Sequence, residues 1–370
     1  MTQPLRITAI EIDGNVTRPI QFGGPPGDAL HDALREAMLK RGCLRDRAHK
    51  GQCMNCALLP QCAVWPVVAP ADPTQRQRGP FLRPVVLRLP IIPAQSLPVG
   101  TPVTYGATIV QDATFPTLWG ALAAAFVHSA RQIAEWGVGL QVREGERAAR
   151  RGAISVGRVR WADPVTGESA PFFFPTEGPL EPPLAAHYGA AEIAPIDRHT
   201  LHLTFLTPTR LVAAGTTLRA PDLPILVRRI AERLDAVAES VGAATPDILM
   251  NAAITEAAVR VRVRDAGVRW AGDPAKGGFV GPVTLVGESA DLAMLAPVLR
   301  WGAALGVGKG TLTGSGRFVV GPVPPSAVVT LPSEEAEDAL FAADDQQRPE
   351  ARSRPPRTQS NRALKRNRNR

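Results

Sequence analysis

The stretch from Asp291 to Val320, DLAMLAPVLRWGAALGVGKGTLTGSGRFVV, constrains this chain more than any other. Leu292, Leu295 and Leu299 recur at helical spacing, so a helix with one stripe facing a core is expected. Gly302, Gly306, Gly308, Gly310, Gly314 and Gly316 then crowd into a single short span. Glycine tolerates positive φ and lets a backbone approach its neighbours closely. Lys309 and Arg317 add positive charge, which makes an anion the natural guest of the loop. Phe318 to Val320 reads as the strand that follows.

Two phosphate loops are excluded by order. A P-loop needs four residues between its first glycine and Gly-Lys, then Ser or Thr. Here five residues separate Gly302 from Gly308, and Gly310 follows Lys309. A dinucleotide fingerprint follows a strand and opens a helix, whereas this loop follows a helix and opens a strand.

The motif Gly306-Val307-Gly308-Lys309-Gly310, leading to Gly314-Ser315-Gly316-Arg317-Phe318, resembles the C-terminal glycine-rich motif of the RAMP superfamily. Within it, the match is to the endoribonucleases that cleave CRISPR repeats in precursor crRNA. Leu201-His202-Leu203-Thr204-Phe205-Leu206-Thr207-Pro208 and Gly278-Phe279-Val280-Gly281 support the resemblance. It covers Asp197 to Val320 well and the N-terminal half more loosely. It implies RNA cleavage without a metal, by attack of a 2′-hydroxyl on the adjacent phosphate. The products are a 2′,3′-cyclic phosphate and a 5′-hydroxyl. It also implies RNA contact at Gly306, Gly308, Lys309 and Gly310.

Strand and helix patterns repeat along the chain. Leu5–Ile12, Val85–Ile92, Thr101–Val110 and Ala153–Val159 read as strands. Helices fall on a stripe from Leu30 to Met38, N-capped by Asp28 and stopped near Gly42, and on Phe115–Trp136. The second half repeats this order. Its strands are Leu201–Phe205, Val259–Val263, Phe279–Val286 and Phe318–Val320, and Asp222 caps a helix carrying Leu226, Ile230, Leu234, Val237 and Val241. Both halves read βαββαβ, so the expected class is α+β with two tandem ferredoxin-like domains. The matching dipeptides Trp136-Gly137 and Trp301-Gly302 point to a duplicated module. The boundaries read as residues 1–160, a proline-rich connection at 161–198, a second domain at 199–324 and a disordered tail at 325–370.

Charge sits mostly in that tail. Arg348 to Arg370 holds nine Lys or Arg and one Glu, so the formal net charge of +8 belongs to it and residues 1–347 are near neutral. Ser333 to Asp345 carries six acids and no base. A basic tail of this kind can tether RNA electrostatically, or simply stay solvated. The N-terminal sequence lacks a signal-peptide pattern and no run is long and apolar enough for a membrane span, so a cytoplasmic protein is expected.

The four cysteines are Cys43, Cys53, Cys56 and Cys62. Four thiolates on one insertion can close a tetrahedral shell around a structural zinc. A Cys₄ iron–sulfur cluster would use the same ligands, and free reduced thiols are the plain alternative. Arg260, Arg262 and Arg264 alternate with valines, so a strand there would place three guanidinium groups on one face, suited to RNA phosphates, with Arg269 close behind. A solvated sheet face is the alternative. With Gly314, Gly316 and Arg317, these residues complete the expected RNA-binding set.

The implied reaction needs a base near neutral pKa and a cation for the phosphorane. His31, at the border of the first helical stripe, is the expected base, and Lys309 the expected cation. His128 lies in an apolar helix, His187 in the connection, and His199 and His202 at the first strand of the second half. The expected function is thus metal-independent processing of CRISPR repeat RNA, by a monomer or homodimer that can associate with other CRISPR effector subunits. The alternative is a non-catalytic RAMP subunit that binds crRNA within an effector complex. A metal-dependent nuclease is disfavoured, because no paired carboxylates accompany a metal-ligand set.

Overall fold

The computed structural model describes residues 5–43, 62, 85–92, 95–111, 118–142, 149–164, 168–173, 180, 186–187, 199–244, 252–272, 277–311, 314–323 and 328–329. Among these the fold is mixed α+β. The first half holds β1 (Arg6–Arg18), β2 (Ile20–Gln21), α1 (Pro26–Gly42), β3 (Val85–Arg88), β4 (Ser96–Leu97) and β5 (Pro102–Val110). It continues with α2 (Leu118–Trp136), β6 (Val138–Val142), β7 (Arg150–Ile154), β8 (Val159–Ala162), β9 (Ser169–Pro171) and β10 (Ala186–His187). The second half holds β11 (Thr200–Thr209), β12 (Val212–Ala213), β13 (Thr216–Thr217), α3 (Leu223–Ser240), α4 (Ala252–Arg260) and β14 (Arg262–Ala266). Then come β15 (Arg269–Ala271), β16 (Gly278–Val286), α5 (Ser289–Leu305) and β17 (Phe318–Val320).

Each half builds one main antiparallel sheet beside a two-stranded one, β2-β4 in the first half and β12-β13 in the second. The first main sheet runs β3-β5-β1-β7-β6, with β8 and β10 also on β1; the second runs β14-β16-β11-β17. In both, the first strand of the half lies inside the sheet, β1 pairing with β5 and β11 with β16. Strand alternation sorts the side chains. In the first sheet Ile10, Ile12, Tyr105, Ala107 and Ile109 face the core that holds Leu30, Leu34 and Met38 of α1 and Leu122, Phe126 and Ile133 of α2. The opposite positions, Leu5, Ile7, Val86 and Val110, join the core of the second half.

Helix α5 explains how one sheet reaches the other half. Leu292, Leu295, Val298, Leu299, Trp301, Ala304 and Leu305 are all buried, so the helix is apolar nearly all round and must be covered on more than one side. Its end is held by tertiary donors: the Thr108 hydroxyl of β5 donates to Ala304 O at 2.9 Å, and Arg233 Nε of α3 donates to Leu305 O at 3.0 Å. These carbonyls belong to the last turn and have no partner within the helix. Burial pushes the Arg233 guanidinium down to about 10.

Several expectations are corrected here. The strand placed at Val259–Val263 begins only at Arg262, as β14; Val259 and Arg260 are the end of α4. Ile254, Ala257, Ala258 and Val261 are buried at helical spacing while Val259 is 68% exposed, which a helix satisfies and a strand does not. Ala153–Val159 breaks at Ser155–Arg158 into β7 and β8. The stretch read as an inter-domain connection carries β8 and β9 of the first sheet, where Phe172 packs on Trp161 with ring centroids 4.8 Å apart. The chain after Pro324 also returns: Val329 N donates to Ile91 O at 2.9 Å and its side chain is buried in the first core. The tail from 330 to 370 lies outside the described residues.

Asp222 caps α3 as expected, accepting from Ile225 N at 3.0 Å. Asp28 does not cap α1; the helix begins two residues earlier because Pro26 occupies its first turn. The two Trp-Gly pairs are not equivalent. Gly137 follows the end of α2 with φ +83°, whereas Gly302 lies inside α5, where a Cβ would sit 2.4 Å from Ile230 and 2.9 Å from Phe318.

Candidate nucleic-acid interface

The glycine-rich loop leaves α5 at Gly306 and enters β17 at Phe318. Gly306, Gly308, Gly310, Gly314 and Gly316 all have φ between +68° and +84°. Two of them also sit where no side chain fits. A Cβ on Gly316 would lie 1.9 Å from Val307 O, and one on Gly308 would lie 2.4 Å from Arg210 O. The loop is laced to itself and to the end of β11. Val307 N donates to Gly316 O at 2.9 Å, Lys309 N to Arg210 O at 3.1 Å, and Gly316 N to Pro208 O at 3.0 Å. The buried Thr207 hydroxyl donates to Gly314 O at 2.8 Å and accepts from Arg317 N at 2.9 Å. This bracing holds the Lys309 side chain exposed on a fixed backbone.

Arg317 does not share that exposure. It turns away from the loop surface and donates to Leu89 O of the first half. Burial pushes its guanidinium down to about 9, with nearby Arg88 adding to the fall and Glu11 opposing it. It is a junction residue, because the glycine loop docks on Leu89: a Cβ on Gly314 would lie 2.6 Å from the Leu89 side chain.

Around this junction the first sheet carries an ionic row. Glu11 and Arg88 flank Gly106 across three paired strands, so the absent side chain leaves room between them. Arg88 reaches Glu11 at 3.5 Å, Arg160 reaches it at 2.9 Å, and Arg160 also bonds Asp13. Arg158 and the Thr104 hydroxyl complete the set around Asp13, at 3.3 and 2.9 Å. Burial works to raise the Asp13 carboxyl, but the Thr104 hydrogen bond and the Arg160 charge outweigh it, and its pKa is lowered.

The second sheet presents a different surface. The positions opposite its core are His202 and Thr204 on β11 and Thr284 on β16, with Arg262 paired to Val286 and Arg269 paired to Val280. His202, Arg262 and Arg269 are exposed, and His202 Nδ1 lies 3.3 Å from the Thr284 hydroxyl. Arg264 is exposed too, at a register shift of β14. Arg260 is corrected: it ends α4 and makes a two-pronged pair with Asp291 at 2.7 and 3.0 Å. It belongs to a helix–helix contact. The alternation of His202 with buried Leu201 and Leu203 places it on the solvent face.

His31 stands half-buried on α1, with Nδ1 3.4 Å from Asp32. The structure does not draw it into the glycine loop's packing: α1 belongs to the first core, and Leu305 and Val307 to the second. His128 is exposed on α2, not buried. Of the cysteines, Cys43 follows α1 and Cys62 packs half-buried against the first core; neither is in a disulfide. Cys53 and Cys56 lie outside the described residues. Among the described residues no three His, Cys, Asp or Glu gather into a metal-binding group. Two thiols alone do not close a tetrahedral shell. Likewise, among the described residues no helix is long and apolar enough to cross a membrane.

The fold is of the mixed α+β class, with a glycine loop braced on β11 and an exposed basic sheet face. Comparison with known proteins narrows it. Residues 203–318 match the family model described as CRISPR-associated endoribonuclease Cas6. That is the repeat-cleaving branch which the glycine-rich motif resembles, and the match runs from β11 to the first residue of β17. A chain of a partial Cas6-RT-Cas1–Cas2 complex shares the fold at TM-score 0.52 and 13% identity, covering 93% of this chain and 54% of that one. A Cas6 product complex aligns at 18% identity and TM-score 0.46, covering 85% of this chain and 99% of the other. Thermus thermophilus Cas6 aligns at 15% and 0.43, covering 85% and 98%. No curated protein sequence matches the chain.

Proposed function

We propose that this chain is an endoribonuclease that cleaves CRISPR repeat RNA, built from two tandem ferredoxin-like domains. The observation that carries this reading is the glycine-rich loop of the matched segment, braced on β11 with Lys309 exposed. An RNA backbone laid on the open sheet would meet Arg262, Arg264 and Arg269 as phosphate contacts. Gly306, Gly308, Gly310, Gly314 and Gly316 allow it to approach the loop closely. Arg260 and Arg317 are committed to Asp291 and to the junction, so they act by holding the platform.

In the proposed reaction a base takes the proton of a 2′-hydroxyl, whose oxygen attacks the adjacent phosphorus. The P–O5′ bond breaks, the leaving oxygen takes up a proton, and a 2′,3′-cyclic phosphate remains. His31 is the proposed base, and the Lys309 ammonium stabilises the charge on the phosphorane. His202 is the rival base, favoured by its place on the same open face as Arg262. The proposed partners are repeat RNA and other CRISPR proteins in the cytoplasm. A zinc or iron–sulfur cluster on Cys43, Cys53, Cys56 and Cys62 is proposed as structural, and metal analysis of a Cys53→Ser, Cys56→Ser variant tests it.

The deciding experiment is incubation of the host repeat RNA with purified protein in EDTA, with product ends mapped. One cut with a cyclic-phosphate end supports the proposal. Tight binding without a cut moves the chain to a crRNA-binding subunit of an effector complex. Single-turnover rates of His31→Ala and His202→Ala then assign the base, and Lys309→Ala is expected to slow cleavage about 100-fold.

A further inference from the structure

A second basic site lies in the first half; it shares α1 with the proposed base His31, but none of its lining residues belongs to the proposed cleavage site. A cavity of about 530 Å³ opens among α1, the end of α2 and the β6–β7 pair. That volume suits a guest of nucleotide size. Its wall includes Trp136, Arg18, Lys40, Arg150, Arg151 and Glu36. Trp136 ends α2 and keeps 39% of its surface exposed, which is uncommon for so large an apolar ring. Nothing in the first core requires it there.

The cations are not all consumed by neighbours. Glu36 holds Lys40 at 2.8 Å and Arg151 at 3.4 Å, and these two bonds, led by Lys40, keep its carboxyl below the usual range. The Lys40 ammonium lies 4.3 Å from the centre of the Trp136 ring, so it is fixed over one part of the aromatic surface. Arg18 donates to Glu135 O at 3.1 Å. The Arg150 side chain is exposed and makes no hydrogen bond or ion pair among the described residues, while its backbone pairs with Val142. Four cations therefore face two carboxylates, Glu36 and Glu135, across one cavity. An exposed indole beside an excess of guanidinium groups matches what single-stranded nucleic acid offers: a flat base to stack and a phosphate to pair.

We propose that this cavity binds one nucleotide of a single-stranded RNA extension, its base against Trp136 and its phosphate on Arg150 and Arg151. The proposal rests on the reading that the chain handles RNA, but not on cleavage. The site would grip RNA flanking the repeat, so its loss weakens long substrates and spares the repeat itself.

The test compares two RNAs on the full chain: the repeat alone, and the repeat with a single-stranded uridylate extension. Arg150→Glu and Trp136→Ala are each expected to weaken the extended RNA about 10-fold and to leave the bare repeat unchanged. Trp136→Phe, which keeps a stacking ring, is expected to recover most of the loss. Equal weakening on both RNAs, or none on either, overturns the subsite. So does a fall from dimer to monomer in Trp136→Ala without loss of the extended RNA, which would make the patch a contact between copies. Wild-type protein that cuts neither RNA but shows the variant-sensitive grip on the extension sinks the cleavage proposal and keeps this one.

Discussion

The two sheets have closely related strand orders but opposite fates for the face away from their own helices. In the first, Leu5, Ile7, Val86 and Val110 are sealed against the second half, and the row continues into the ionic cluster of Glu11, Asp13, Arg88 and Arg160. In the second, the corresponding face stays open, with His202, Arg262 and Arg269 exposed. A strand order therefore does not decide what a sheet is for. One face became an internal joint and the other stays exposed, and the glycine loop docks on the joint at Leu89. Predictions that separate joint from surface follow from this contrast.

The largest effect belongs to the loop. Gly316→Ala combines a φ of +73° with a Cβ 1.9 Å from Val307 O, so denaturant unfolding should show a loss of about 3–4 kcal/mol. Gly215→Ala is the control: its φ is +80° but nothing lies within 4 Å, so it should cost only about 1 kcal/mol.

Next comes the joint. Glu11→Ala removes a carboxylate whose side chain is 18% exposed and leaves the half-buried Arg88 beside Arg317. A loss of about 2–3 kcal/mol is expected from the stranded charge. Should Arg88→Met restore stability in that background, the stranded cation rather than the lost contact was the cause.

A smaller effect is set by pH. Asp13 has a folded pKa below its ordinary 3.8, so its contribution is complete above about pH 4 and is lost as pH falls through the depressed folded value. Asp13→Asn should lower stability at neutral pH, and urea midpoints of the two proteins should converge as the pH drops below that range.

The smallest stability effect, within about 0.5 kcal/mol, is expected on the open face. Arg262→Ala and Arg269→Ala should fold normally, yet each should weaken RNA binding and reduce its salt slope by about one. An unchanged slope would remove that residue from the proposed interface.

Local pattern determined much of this molecule. Alternation placed β1, β5, β11 and β16; apolar stripes placed α1, α2 and α3; and Asp222 marked a helix start that the structure keeps. The glycine run announced a loop that only positive φ could build, since five of its glycines adopt that region. These features depend on neighbours in sequence, where steric and hydrogen-bonding preferences act directly. What tertiary structure alone decided is where charges ended. Arg260 looked like part of a strand row but closes α4 on Asp291, and Arg317 looked like a loop cation but is tied into the joint at Leu89 O. A guanidinium at the end of a long side chain takes the partner that folding brings near it, and that partner lies 31 residues away for Arg260 and 228 for Arg317. No local pattern carries that distance. The same holds for Trp136, whose sequence marks only a helix end, and whose cavity exists because α1, α2 and the β6–β7 pair converge around it.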